Sequence, residues 1–212
     1  MRTGFAKEIL IHTGCVTLED NMYISDNPSA VRSQKEITDA LLILMKEHPY
    51  NEITVKQILL ESKLARKTFY RNFESKDDVL FSLLRCNLEE YFDIVNNAKG
   101  SVLDTIFEFA DKNRELLMLL DKNNMLYVVL QCLNSFSVIM LDNQNKELNP
   151  FSKLFDGLDQ EYLVALNIGA VWNVISIWVH RGMKQSPENV KKTIAIYLHR
   201  LHSIEKCYFI VG

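Results

Sequence analysis

The stretch Thr54–Leu80, TVKQILLESKLARKTFYRNFESKDDVL, decides how the rest of the chain is read. Thr54 is a good helix N-cap, because its hydroxyl can accept a backbone N–H of the first turn, and Gln57 stands three residues on as the capping-box partner. Val55, Ile58 and Leu59 then share one helical face. That helix is expected to end near Ser62–Lys63, so that Leu64 turns inward between two helices. On a wheel of about 100° per residue, the next segment places Ala65, Phe69, Asn72 and Phe73 on one side. Arg66, Lys67, Tyr70 and Arg71 fall on the other side, with Thr68 on the boundary. Phe69 and Phe73 are an i, i+4 anchor, while the opposite face carries three cations and a phenol.

Two short helices joined by a tight break form a helix-turn-helix, and the polar face of the second suits a DNA major groove. Arginine can pair bidentately with guanine, while lysine and tyrosine reach phosphates. Between Lys56 and Lys76 the basic residues are Lys56, Lys63, Arg66, Lys67, Arg71 and Lys76, against Glu61 and Glu74, whereas the whole chain carries −3. Positive charge is therefore concentrated where a polyanion would dock. Cationic helix faces are commonly just solvated, and the spacing of the two helices with the Phe pair is what favours the sharper reading.

The segment resembles the helix-turn-helix of the TetR family of bacterial transcriptional regulators. The resemblance rests on Thr54-Val55, Ile58, Leu64, Arg66, Thr68-Phe69-Tyr70, Phe73 and Ser75-Lys76-Asp77 before an apolar run, and it extends over about Ser33 to Tyr91. It implies an all-α fold, with a three-helix DNA-binding head on a larger helical body that binds a ligand and dimerises. Thr54, Lys56, Arg66, Lys67, Thr68, Tyr70, Arg71 and Lys76 are the expected DNA-binding residues, with Lys76 at the family's phosphate-contacting position. Two departures stand out. Lys63 replaces the usual turn glycine, at roughly 1 kcal/mol of left-handed strain. Ala65 replaces the usual Ser or Thr cap, at roughly 1 kcal/mol.

Composition fits this reading. The chain has 212 residues, 48% hydrophobic, with only seven Gly and four Pro, few breakers for an all-helical protein. No apolar run reaches the roughly 18 residues of a membrane span. Cys15, Cys86, Cys132 and Cys207 lie far apart, as reduced thiols of a cytoplasmic protein would. Residues 1–28 are set aside as an N-terminal extension without an assigned role; Ile9-Leu10-Ile11 is too short for a signal-peptide core, and Met22 begins a stretch like the family's usual start. The DNA-binding domain spans 29–91, its long last helix continuing to about Lys99, and residues 92–212 form the regulatory and dimerisation domain.

The head should open after Asn27-Pro28-Ser29, with Ser29 or Ser33 as cap and Ile37, Ala40, Leu41 and Leu44 as its buried stripe. Arg32 and Lys35 are further phosphate candidates. Ser75 is the expected N-cap of the long helix from Lys76. In the body, helices are expected over Ser101–Leu120, Met125–Leu141, Asp159–His180 and from Ser186-Pro187-Glu188 to about Ser203, with a polar loop over Asp142–Pro150, a short turn over Phe151–Phe155 and an apolar tail over Cys207–Val211. The phrase from Trp178 to Glu188, WVHRGMKQSPE, resembles the C-terminal domain of a TetR subgroup from Gram-positive bacteria, some of whose members resemble activators of dihydroxyacetone utilisation; this covers about Trp172 to Leu201.

Phe107, Tyr127, Gln131, Phe136, Trp172 and Trp178 are candidate ligand-lining residues, set against the plainer reading that aromatics at helical spacing are core. Leu163, Leu166, Gly169, Ala170, Ile177, Ile194, Leu198 and Leu201 are candidates for a homodimer interface. No enzyme motif is present, and His199 with His202 lack the acidic or thiol partners of a metal site. The expected function is a dimeric repressor released from operator DNA by a small-molecule effector, apolar or amphipathic, without cofactor or membrane. The alternative is a coregulator whose body takes its signal from a partner protein.

Overall fold

The computed structural model describes residues 27–97, 101–143 and 157–203, and all side chains among these except those of 92–97, 102, 136–143 and 201–203. The expected 1–28 extension as far as residue 26, Cys15, Cys207, the turn over 151–155 and the tail over 207–211 lie outside the described residues, as do the side chains of Phe136 and Leu201. The fold is all-α. In chain order the helices are α1 (Pro28–Glu47), α2 (Val55–Ser62), α3 (Arg66–Asn72), α4 (Lys76–Asn97), α5 (Val102–Lys112), α6 (Arg114–Lys122), α7 (Leu126–Asn143), α8 (Gln160–His180) and α9 (Pro187–Ser203), with a 3-10 turn at Tyr50–Glu52.

The stripe predicted for α1 is buried at Ile37, Ala40, Leu41 and Leu44. Its cap is Asn27, however, not Ser29 or Ser33. The Asn27 carboxamide oxygen accepts the Ser29 N–H at 3.0 Å, and Pro28 takes the first helical position. Ser33 is buried a turn later, its hydroxyl spent on the Ser29 carbonyl. The N-caps expected at Ser75 and Ser186 hold: Ser75 Oγ accepts from Asp78 and Ser186 Oγ from Asn189. Ser101 and Asp159 also cap their helices, Ser101 Oγ accepting from Asp104 and Asp159 from Glu161. Asp78 answers by accepting the Glu74 N–H at 2.9 Å.

The single helix expected over 101–120 is two. Asn113 (φ −95°, ψ 20°) ends α5, its amide and its N–H both turned onto the Phe109 carbonyl. Arg114 opens α6, pairing with Asp111 at 2.5 Å, donating to the Met183 carbonyl and lying 5.7 Å from the Trp178 ring. The break thus carries both a local pair and a long-range contact, and helical periodicity shows neither. The polar loop expected from Asp142 begins inside α7, which runs to Asn143; the remainder lies outside the described residues.

α4 joins the two parts of the molecule. It packs on α1 in the head and on α5 and α7 in the body, while α8 packs on α6 and α7 and α9 on α5. One continuous apolar core results, from Ile37, Leu41, Ile58 and Phe69 through Leu80, Leu84 and Leu88 to Phe107, Leu120, Trp172 and Trp178. α8 also corrects the hydropathy reading. Asn167, Asn173 and Ser176 interrupt its apolar run, yet an 18-residue window still averages a hydropathy of 1.7, and only 22% of that window is buried.

Candidate nucleic-acid interface

The helix-turn-helix is built as its residues dictate. The Thr54 hydroxyl accepts the Gln57 N–H at 3.3 Å, and the Gln57 side-chain oxygen accepts the Thr54 N–H at 2.9 Å, a closed capping box. Lys63 ends α2 in the left-handed region (φ 57°, ψ 25°), a conformation that a glycine takes without strain. Leu64 packs against the core from the turn. Ala65 occupies the N-cap of α3 in extended backbone and supplies no side-chain bond.

On α3, Phe69 is 0% and Phe73 just beyond it 5% exposed, with ring centroids 6.1 Å apart. Arg66, Lys67, Tyr70 and Arg71 are exposed, and Thr68 is half-buried. The Arg66 guanidinium lies 5.4 Å from the Tyr70 ring centroid, and that ring meets Phe69 edge-on at 5.3 Å. Tyr70 thereby braces Arg66 and limits the rotamers it must give up on contact. Lys56 is exposed one helix back, while the Thr54 hydroxyl is committed to the capping box.

Lys76 is placed differently from the expectation of a phosphate ligand. Its ammonium donates to the carbonyls of Tyr50 at 2.7 Å and Ile53 at 2.8 Å, with Asn51 O at 3.4 Å, and lies 4.5 Å from the Tyr50 ring centroid. An ammonium has three donors, and three carbonyls surround this one. Lys76 thus closes the 3-10 turn onto the start of α4. The Tyr50 hydroxyl donates to Asp77 at 2.5 Å; burial first, and then that carboxylate, push the phenol far above its ordinary pKa. Sequence reasoning missed Tyr50, whose only local signal is an aromatic after His48-Pro49. Arg32 pairs with Glu36 at 2.9 Å on the exposed side of α1, and Lys35 is exposed nearby.

The body residues sort into two groups. Phe107, Trp172 and Trp178 are buried, Phe107 and Trp178 with centroids 5.6 Å apart. The Trp178 indole N–H donates to the Gln185 carbonyl at 2.9 Å. Tyr127 and Gln131 are exposed on α7. Phe107, Trp172 and Trp178 thus sit in the core, and Tyr127 and Gln131 on the surface of α7. A cleft of about 490 Å³ lies elsewhere, open to solvent between α1 and the α5–α6 corner, lined by Leu42, Lys46, Leu116 and Leu119 among others. Of the interface candidates, Leu166, Ala170, Ile177 and Leu198 are exposed, and Leu163, Gly169 and Ile194 are half-buried.

A short helix with a cationic outward face, held by two buried phenylalanines and set on a helical body, defines a DNA-binding transcription regulator. Two family models place it further: one described as bacterial regulatory proteins, tetR family, matches residues 37–83, and one described as a transcriptional regulator C-terminal region matches residues 100–200. The chain belongs to the TetR family, which is one of transcription regulators and not of enzymes. It is 22% identical over 158 residues to the HTH-type dhaKLM operon transcriptional activator DhaS of Lactococcus lactis, a match covering 72% of this chain and 82% of that protein. Two solved structures share the fold. A putative TetR-family regulator from Syntrophomonas wolfei has a TM-score of 0.57 at 15% identity, covering 84% of this chain and 98% of its own. A TetR regulator from Streptococcus agalactiae has a TM-score of 0.54 at 18% identity, covering 78% and 92%.

Proposed function

We propose that the chain acts as a homodimer in the cytoplasm, covering a palindromic operator with the outward face of α3 in successive major grooves. The observation that carries this is the split of α3: Arg66, Lys67, Tyr70 and Arg71 face solvent over buried Phe69 and Phe73. A seven-residue helix offers too little contact alone, and two heads about 34 Å apart would read both half-sites.

The dimer reading is supported by α8 and α9. Tyr162, Leu166, Ala170 and Ile177 follow one another at i, i+4, i+8 and i+15, a single outward stripe of α8, and all are exposed. Ile196, Tyr197 and Leu198 are exposed on α9. Two helices from each of two chains would close a four-helix interface over these side chains. The apolar character of α8 is accounted for by a second copy of the chain, with no lipid needed.

An effector taken up by the body would shift the heads to a spacing that no longer fits. A full shift requires roughly 5 kcal/mol of differential affinity between the two states. Repression by occupancy is the simplest output of such a dimer. The Lactococcus relative, named an activator, supports the opposite output from the same scaffold, and the position of the operator relative to the promoter distinguishes them. A second reading, a body that receives a partner protein and no small molecule, is favoured by Phe107, Trp172 and Trp178 filling core.

The test is operator selection from the source genome, followed by the Arg66→Ala/Lys67→Ala double variant. Operator binding should fall at least about 100-fold while the oligomeric state stays that of the parent, each guanidinium or ammonium contact contributing about 1–3 kcal/mol. Unchanged operator affinity would place recognition on another surface.

A further inference from the structure

The end of α1 is unfinished within the head. The carbonyl of Met45 would ordinarily receive the N–H of residue 49, but that residue is Pro49 and has none. The carbonyl of Lys46 would ordinarily receive the Tyr50 N–H, but that N–H points elsewhere. Both gaps are filled from the body, at the corner between α6 and α7. Asn123 donates through its amide to the Met45 carbonyl at 3.1 Å and to the Leu119 carbonyl of its own helix at 2.9 Å. The Asn123 carboxamide oxygen accepts the diverted Tyr50 N–H at 2.8 Å. The adjacent Lys122 ammonium donates to the Lys46 carbonyl.

The corner is itself firmly shaped. Met125 N–H returns to the Leu120 carbonyl at 2.8 Å and Asn124 N–H to Asp121 at 2.9 Å, with Asn124 left-handed at φ 57°, which is a Schellman closure with Asn in the glycine position. On the other side, Tyr50 is tied to the start of α4 by Lys76 and Asp77. Next to this contact, the seam between α1 and α6 opens into the cleft of about 490 Å³ bounded by Leu42, Lys46, Leu116 and Leu119. Beside that opening, the hydrogen bonds of Asn123 and Lys122 tie α6 to the end of α1.

We infer that Asn123 is a positioning residue for DNA binding: by capping the proline-interrupted end of α1 from the body, it fixes the angle of the head and so the spacing of half-sites that the protein accepts. This rests on the dimeric reading proposed above. A loosened corner leaves each head able to bind its half-site but lets the two heads sample more separations, so affinity for the correct spacing falls and discrimination against wrong spacings is lost.

The test uses the full chain and an operator selected from a random library. Binding is measured to that palindrome, to versions with one or two base pairs added or removed at its centre, and to a single half-site. Asn123→Ala is compared with the parent, and Lys122→Met, which removes an exposed ammonium and keeps its stem, serves as the milder second variant. Expected for Asn123→Ala is half-site binding within about twofold of the parent and at least about fivefold less discrimination between spacings, the low end of typical coupling between sites. Lys122→Met should move the same ratio in the same direction, and it decides the matter should Asn123→Ala fail to fold. Stability loss alone would lower binding to every duplex alike and leave the ratio untouched. Variants that discriminate as the parent does overturn the inference while leaving the dimer reading intact. A parent chain that selects an isolated half-site overturns the dimer reading, and this inference with it.

Discussion

Lys76→Met separates two roles that one lysine cannot fill together. The variant keeps a long stem and removes the ammonium from the carbonyls of Tyr50, Asn51 and Ile53 and from the Tyr50 ring. Asn51 is exposed, so its carbonyl is rewetted at little cost. The other two bonds are charge-assisted and part-buried, at about 1.5 kcal/mol each, the low end for a charged donor, and the ring contact adds about 0.5–1 kcal/mol. The sum is roughly 3.5–4 kcal/mol, a large share of the 5–15 kcal/mol typical of a domain. Urea unfolding should show the midpoint falling with the slope unchanged. Operator binding by the folded fraction should keep the salt dependence of the parent, because Lys76 touches no phosphate in this arrangement. A phosphate ligand would behave in the opposite way: the midpoint would stay put and the slope of log affinity against log salt would become shallower by about 0.9 per head, about 1.8 for a dimer. That second outcome would refute the assignment of Lys76 to the turn.

Other variants test separate parts of the account. Lys63→Gly relieves a left-handed residue in the turn and should stabilise the head by about 1 kcal/mol, read as a raised midpoint; a loss would mean that the Lys63 side chain makes a contact worth more than the strain. Leu166→Asp places a charge in the outward stripe of α8 and should give a monomer by sedimentation at concentrations where the parent is dimeric, without loss of helicity. Burial pushes the Cys86 and Cys132 thiols up to about 11. At pH 8 about one in a thousand of each is thiolate, so site-resolved alkylation of the native protein should be slow at both and should accelerate only as pH rises towards 11. Fast labelling at pH 7 would remove the buried placement.

The parts of this molecule legible in its sequence are those written in local terms. The capping box at Thr54 and Gln57 and the inward pair Phe69 and Phe73 follow from neighbours within a helical turn, while the left-handed Lys63 and the capless Ala65 are implied by the resemblance to the TetR helix-turn-helix. The apolar stripe of α1 and the starts of α4, α5, α8 and α9 follow from the same logic. What escaped was set by residues distant in the chain. Lys76 is drawn to carbonyls 23 to 26 positions back, and nothing in its own surroundings distinguishes that from a reach towards phosphate. At the break before α6, Arg114 meets Met183 and Trp178, 69 and 64 positions on. Asn123 reads as punctuation, and only the folded chain brings it to Met45. Phe107 and Trp178 carry the same letters whether they line a cavity or fill one.

The outward stripe of α8 has a consequence for how much of this protein a cell keeps. In the dimer proposed above, a newly made chain presents Tyr162, Leu166 and Ile177 to water until it meets another, and its stability would depend on doing so before a protease or chaperone intervenes. Mass action would make that a dosage effect: below some number of copies solitary chains would be cleared, and above it they would persist as pairs. Synthesis rate would then act as a threshold on the amount of regulator that survives.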